Sequence, residues 1–244
     1  MPDRPPNAFL RSLGQASYDA LAPHLVRVEL PHGQVIYRPD DRVDQVYFPE
    51  DALISILTTT AEGQSVETAM SGNEGGVGLL EACGSGVFTT TCLVQVDGVA
   101  WRAPAAVLRS LALGDEEFGR KVWTLVEFQM TESRQSGMCQ AVHSVEPRLA
   151  RWLVESYERA DGRNPMPLTQ EFIGAMLGVQ RTTVTAFAGQ LQKAGLIQYQ
   201  RGRVEITDLA GLEARACECR QAIRDQRRRL RLDAAPAGVA ERRV

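Results

Sequence analysis

Hydrophobic and polar positions change period several times along the chain. Over residues 8–26, Phe9, Leu10, Leu13, Ala20, Leu21 and Leu25 fall at helical spacing interrupted by Gly14 and Pro23, which predicts short helices bent at those residues. From Val28 the pattern is that of short strands over 34–37, 45–48, 53–57 and 65–70, with 61–64 as a turn. A Gly-rich stretch over 72–86 follows, then 89–96, a turn at Asp97-Gly98, and 99–101, so an antiparallel barrel or roll is expected. Asp115, Glu116 and Glu117 open a helix whose positive end they complement. In it Phe118, Val122, Leu125, Val126, Gln129, Met130, Ser133, Gly137, Met138 and Ala141 fall near one stripe. Its small and adaptable C-terminal residues suit close approach of a second helix, which predicts a dimerisation helix. Packing of the same stripe on its own sheet is the alternative, since periodicity does not say whose surface is covered.

A further helix capped by Ser144 carries Leu149, Trp152, Leu153 and Tyr157, tolerates Pro147 in its first turn, and ends near Asp161-Gly162. Residues 161–167 are the clearest break in the chain. Beyond them Thr169 can cap a helix with Phe172, Ile173, Met176 and Leu177 as its inner face, and Gly178 permits a tight turn plugged by Val179. The next helix, about 181–194, buries Val184, Phe187 and Leu191 while Gln180, Arg181, Thr182, Thr183 and Thr185 face outward or toward its N-terminus. Short polar side chains there can reach base edges and phosphates in a major groove, so these five residues, with Thr169 at the start of the preceding helix, are candidate DNA contacts. After Gly195, residues 196–206 read as a β-hairpin with Arg201 and Arg203 at its tip, placed to pair with phosphates.

Residues 168–208 resemble the DNA-binding module of the Crp/Fnr family of bacterial regulators, whose second helix opens with Ser-Arg-Glu-Thr-Val followed by a further Arg. Arg181, Thr183, Val184 and Thr185 fit that pattern; Thr182 replaces the Glu and Ala186 the second Arg, so the preferred half-site is expected to differ. The order of roll, long helix, Val145–Leu153 segment and winged helix extends the resemblance over nearly the whole chain. It implies an α+β protein with an N-terminal antiparallel β-roll (a cyclic-nucleotide-binding-like jelly roll), a long dimerisation helix and a C-terminal winged helix-turn-helix. The corresponding divisions are 1–114, 115–143, 144–232 and a disordered tail over 233–244. Double-stranded DNA and a second copy of the chain are the implied partners, with RNA polymerase a further one. A sensor acting through a protein partner, its DNA binding lost, is the alternative function.

Charge sharpens this picture. Residues 163–244 carry 14 Lys+Arg against 8 Asp+Glu, while residues 1–162 carry 13 against 22, so the two halves differ in sign. Only Lys121 and Lys193 are lysines, so the C-terminal charge is guanidinium, suited to bidentate contacts with phosphate and guanine. The Arg run at 227–231 is either a solvated end or a nonspecific phosphate contact. No apolar run approaches a membrane span and the start lacks a signal-peptide core, so a cytoplasmic protein is expected. No nucleophile elbow, phosphate loop or metal-ligand spacing is present, which argues against an enzyme.

The sensor half is read mainly by what it lacks. Family members that bind cyclic nucleotides clamp the phosphate with an Arg after a Gly-rich loop. Here Phe88 or Thr89 stands in that place, and no Lys or Arg occurs between Arg42 and Arg102. Gly75, Gly76, Gly78, Thr89 and Thr90 are the candidate effector pocket, with cyclic AMP disfavoured for want of a local cation. No Cys precedes Cys83, so the N-terminal iron–sulfur ligands of oxygen-sensing relatives are missing, and haem through His24, His32 or Cys83 is disfavoured. Cys83, Cys92, Cys139, Cys217 and Cys219 are scattered, so free thiols are expected, with no metal and no cofactor. Cys217 and Cys219, read as positions on one helix, should diverge by about 200°.

Overall fold

The computed structural model of the chain describes residues 4–230 and 232. The tail expected to be disordered, 233–244, lies outside the described residues. The chain opens with α1 (Ala8–Ser12), α2 (Gln15–Leu21) and a 3-10 turn (Ala22–His24). The strands are β1 (Val26–Leu30), β2 (Val35–Tyr37), β3 (Gln45–Pro49), β4 (Leu53–Thr59) and β5 (Ser65–Ser71), then α3 (Leu79–Cys83), β6 (Thr91–Val96) and β7 (Gly98–Pro104). Helices α4 (Ala105–Gly114), α5 (Glu116–Val142) and α6 (Val145–Arg159) lead to α7 (Gln170–Leu177) and α8 (Arg181–Lys193). The hairpin β8 (Ile197–Gln200) and β9 (Arg203–Ile206) precedes α9 (Leu209–Arg215) and α10 (Cys219–Arg229). Among the described residues no helix is long and apolar enough to cross a membrane.

Two antiparallel sheets, ordered β1-β7-β3 and β2-β6-β4-β5, form the roll. Strand β4 shows why its apolar run does not alternate. Ile54 faces the roll core with Phe48 and Val94, whereas Leu53 and Leu57 face outward into a second core with Trp152 and Leu153 of α6. Helix α6 therefore covers the outer face of one sheet, and both faces of β4 need apolar residues. Gly72, just past β5, permits this approach: a Cβ there would lie 2.5 Å from the Arg159 carbonyl oxygen.

Helix α5 packs one side of its stripe on the chain's own roll and leaves another side exposed. Phe118, Val122, Leu125 and Val126 enter the core of the chain's own roll, while Trp123, Met130 and Met138 are 58%, 48% and 41% exposed. Asp115 is its cap, accepting from the backbone N–H of Glu117 at 2.9 Å and of Phe118 at 3.1 Å.

Three features depart from expectation. Helices α3 and α4 are not foreseen by the pattern, because short apolar runs beside Gly-rich and strand-like sequence carry little periodicity. The chain after Asp208 is two helices broken at 216–218, so Cys217 precedes α10 and Cys219 opens it. The expected divergence of these thiols therefore fails, and with it the expectation of no metal-ligand grouping: Cys139, His143, Cys217 and Cys219 converge.

A buried polar network joins sensor, long helix and α6. Arg159 donates from Nη1 to the Met70 carbonyl oxygen at 2.7 Å and to Glu74 Oε1 at 3.0 Å, and from Nη2 to Glu132. Trp152 Nε1–H donates to Glu67 Oε1 at 2.8 Å. Ser55 donates to Gln95 Oε1, and Gln95 in turn donates to Ser156 Oγ, each at 2.7 Å. Burial pushes the Glu67 carboxyl from an ordinary value near 4.5 up to about 7, against the pull of hydrogen bonds and of Arg151. The folded protein thus holds a proton that the unfolded chain releases between those values. The resulting stability is complete below pH 4.5 and is lost as pH rises through 7. Thermal unfolding between pH 5 and pH 8 is expected to show a midpoint falling with pH, and a shallower fall in Glu67→Gln. An E67Q profile as steep as wild type would contradict the assignment.

Candidate nucleic-acid interface

The helix-turn-helix is built by local rules. Thr169 Oγ1 accepts from the Phe172 backbone N–H at 3.1 Å and starts α7, whose Ile173, Met176 and Leu177 are buried. Gly178 ends it at φ +63, a left-handed conformation that a side chain adopts only with strain. Gln180 stands at the N-cap position of α8 without a side-chain capping bond, and the helix buries Val184, Ala188 and Leu191 and leaves Phe187 half-buried. In the wing, Ile197 pairs with Ile206 and Gln200 with Arg203, and the two-residue turn Arg201-Gly202 has φ +51 and +74. Positive φ at both positions matches the twist of the strands they join.

The N-termini of α7 and α8 and the wing enclose a concavity of about 380 Å³ lined by Thr169, Gln170, Glu171, Arg181, Tyr199 and Gly202. Gln180, Arg181, Thr182, Arg201 and Arg203 are exposed around it, and Thr183 is half-buried. Thr169 and Thr185 engage their hydroxyls internally: Thr169 caps α7, and Thr185 donates to Gln170 Oε1 at 2.6 Å. Arg203 Nη2 reaches the Pro165 carbonyl oxygen at 3.4 Å. Gln170 and Tyr199 also enter this surface, although neither is among the candidate DNA contacts read from the sequence. The turn at Gly178 faces β5, its Cβ position 3.2 Å from Val66 Cγ2, and Phe172 lies 5.6 Å from His32 between ring centroids.

A second cavity of about 310 Å³ lies between the roll and α5. Gly78, Thr89 and Thr90 line it, together with Glu81, Gln129 and Arg134. Gly75 and Gly76 stand outside that lining. Cβ atoms there would lie 3.1 Å from Leu125 Cδ1 and 2.9 Å from Phe48 Cδ1, so both glycines serve close packing. Phe88, also on the cavity wall, stacks on Tyr37 at 5.0 Å and belongs to the core. Arg134 is a cation that reasoning from neighbours along the roll misses, since it comes from α5. Burial pushes the Glu81 carboxyl upward, so this wall disfavours negative charge.

Comparison with known proteins follows this division. Residues 27–115 match the cyclic nucleotide-binding domain and residues 147–215 the Crp-like helix-turn-helix domain. No curated protein matches the chain's sequence. Among solved structures it is similar to FixK2 from Bradyrhizobium japonicum, at 17% identity over 79% of this chain and 98% of that one, TM-score 0.67. It is also similar to a CRP/FNR-family transcriptional regulator from Thermus thermophilus, at 22% identity over 78% and 98%, TM-score 0.63. These likenesses bear on the fold. With both family models matched in sequence order, and a winged helix-turn-helix following a β-roll and a long helix, the chain belongs to the Crp/Fnr family of DNA-binding transcription regulators.

Proposed function

We propose that the protein is a cytoplasmic regulator that acts as a homodimer on a near-palindromic operator, with Arg181 reading a base and Arg201 and Arg203 pairing with phosphates. The observation that carries this reading is the concavity between α7, α8 and the wing, with exposed guanidinium groups on two of its sides. A major groove admits such a surface, because a helix N-terminus can reach base edges while the hairpin follows the backbone. Dimerisation is supported by the exposed positions Trp123, Glu127, Met130, Arg134, Gly137 and Ala141 on α5, which follow the alternating four- and three-residue steps of a coiled-coil seam. Two such chains would present their α8 helices to successive major grooves, with RNA polymerase a further candidate partner. Cyclic AMP is disfavoured as the effector, because Glu81 and apolar groups dominate the cavity and the guanidinium on its wall, Arg134, sits on an exposed position of α5.

Titration of specific and random duplexes across salt tests the docking. Arg181→Ala is expected to weaken the specific site by about 1–3 kcal/mol with random affinity nearly unchanged. Arg201→Ala is expected to weaken both about equally and to lower the salt slope by about one unit. Cyclic AMP added to the same titrations should change neither affinity; a tenfold gain would show that the cavity accepts it. Equal loss on both duplexes in Arg181→Ala would make Arg181 a phosphate contact and rotate α8 from this pose.

A further inference from the structure

The carboxyl end of α5 carries chemistry that neither DNA binding nor the effector cavity uses. Cys139 and His143 are four residues apart and so share one face of the helix, His143 being its C-cap. Helix α10 packs back along this end and brings Cys217 and Cys219 against them. Cys139 Sγ and Cys217 Sγ are 3.5 Å apart, Cys219 Sγ and His143 Nδ1 are also 3.5 Å apart, and all four ligand atoms lie within 4.8 Å of one another. The three thiols are buried, and the imidazole side chain is 17% exposed.

From these distances we infer that Cys139, His143, Cys217 and Cys219 form a tetrahedral site for one divalent ion of the zinc class. Zn–S bonds of about 2.3 Å and Zn–N bonds of about 2.0 Å at tetrahedral angles put ligand atoms about 3.5–3.8 Å apart. Two of the pairs already meet this spacing, and the widest needs to close by about 1 Å. Such a grouping encloses one ion and leaves no room for the second metal and bridging sulfides of an iron–sulfur cluster. The histidine is prepared for the role: its Nε2 lies 3.1 Å from Glu218 Oε1, so Nε2–H can donate to a carboxylate while Nδ1 faces the thiols. This outer hydrogen bond is the usual device that fixes the tautomer and orientation of a ligating imidazole.

Charge fits as well. On binding, the three thiols lose their protons to solvent, and a divalent ion with three thiolates and a neutral imidazole carries one net negative charge. Arg148 and Arg151 on α6 both lie within electrostatic reach of Cys139 and Cys217. Their Nε atoms are buried without a hydrogen-bond partner among the described residues. Four protein ligands close the coordination shell, so the ion is structural. It fixes α10 against the corner where α5 gives way to α6, the junction between the sensor half and the DNA-binding half.

The test uses tag-free full-length protein purified in reductant without chelator. Elemental analysis after dialysis is expected to give about one zinc per chain, and the stripped, reduced protein should take up about one Co²⁺ with the intense visible bands of tetrahedral thiolate coordination. A Cys139→Ser/Cys219→Ser double variant should lose at least nine-tenths of the metal, and Cys83→Ser none. His143→Cys should keep the ion and strengthen the thiolate-to-cobalt charge-transfer band, a readout that a merely misfolded variant could not supply. Metal-free wild-type protein with an octahedral cobalt spectrum would overturn the assignment. So would a Cys139–Cys217 disulfide that forms in place of metal uptake, or zinc retained in the double variant.

Discussion

Arg159→Leu is expected to destabilise the protein by about 3–5 kcal/mol, the cost of removing one partner from a buried ionic group. The Arg159 guanidinium is buried between Glu74 and Glu132, and each of these carboxylates is at most 6% exposed. Leucine would fill much of the volume and leave both acids buried without a cation. Its loss also removes the donor to the Met70 carbonyl oxygen, so the end of α6 loses its direct bond to β5. Urea denaturation followed by near-ultraviolet circular dichroism should show an earlier transition. A second change that neutralises the acids, Glu74→Gln with Glu132→Gln, should recover part of the loss in the same background, because the penalty lies mainly in the stranded charges. A loss below about 1 kcal/mol would mean that water reaches the group and that it does not hold the two halves together.

Met130→Glu is expected to convert the proposed dimer to monomer. Met130 is 48% exposed in the single chain and lies at the middle of the α5 seam, between Glu127 and Arg134. Across a two-fold axis the substitution replaces an apolar contact by two carboxylates facing each other, and like-charge juxtaposition costs several kcal/mol, so dimer affinity should fall by about a hundredfold or more. Analytical ultracentrifugation at micromolar concentration reads this directly. Binding to a palindromic duplex should fall with it, toward the affinity of a single half-site. A mass unchanged from wild type would mean that the exposed stripe of α5 is covered by something other than a second α5.

The same residues show what could be read from the chain. The helix-turn-helix was legible because its signals are local: Thr169 as cap, Gly178 as left-handed terminus, and the spacing of Ile173, Met176 and Leu177 all act within one turn of the residues they specify. The roll was legible from strand-like runs closed by turn residues. Arg148, Arg151 and Arg159 were not legible as buried groups, because a charged position on an amphipathic helix reads as solvent-facing until a second element is known to cover it. The thiol site was hidden for a related reason. Cys139 and Cys217 are far apart in sequence and meet only because the chain breaks at 216–218 and α10 turns back onto α5. Of the five residues singled out from loop composition, Gly78, Thr89 and Thr90 line the cavity between the roll and α5, whereas Gly75 and Gly76 lie against Leu125 and Phe48, because close packing and anion binding select the same small residue.

The central claim, a dimer that reads DNA sequence through α8, is tested most directly by enrichment of bound duplexes from a random pool with the purified full chain. The expected result is a near-palindromic motif with half-sites centred about one helical turn apart, roughly 10–10.5 base pairs. Its information should fall at one position in each half-site when Arg181 is replaced by Ala. A pool that stays random, or a motif that Arg181→Ala leaves unchanged, would contradict the account.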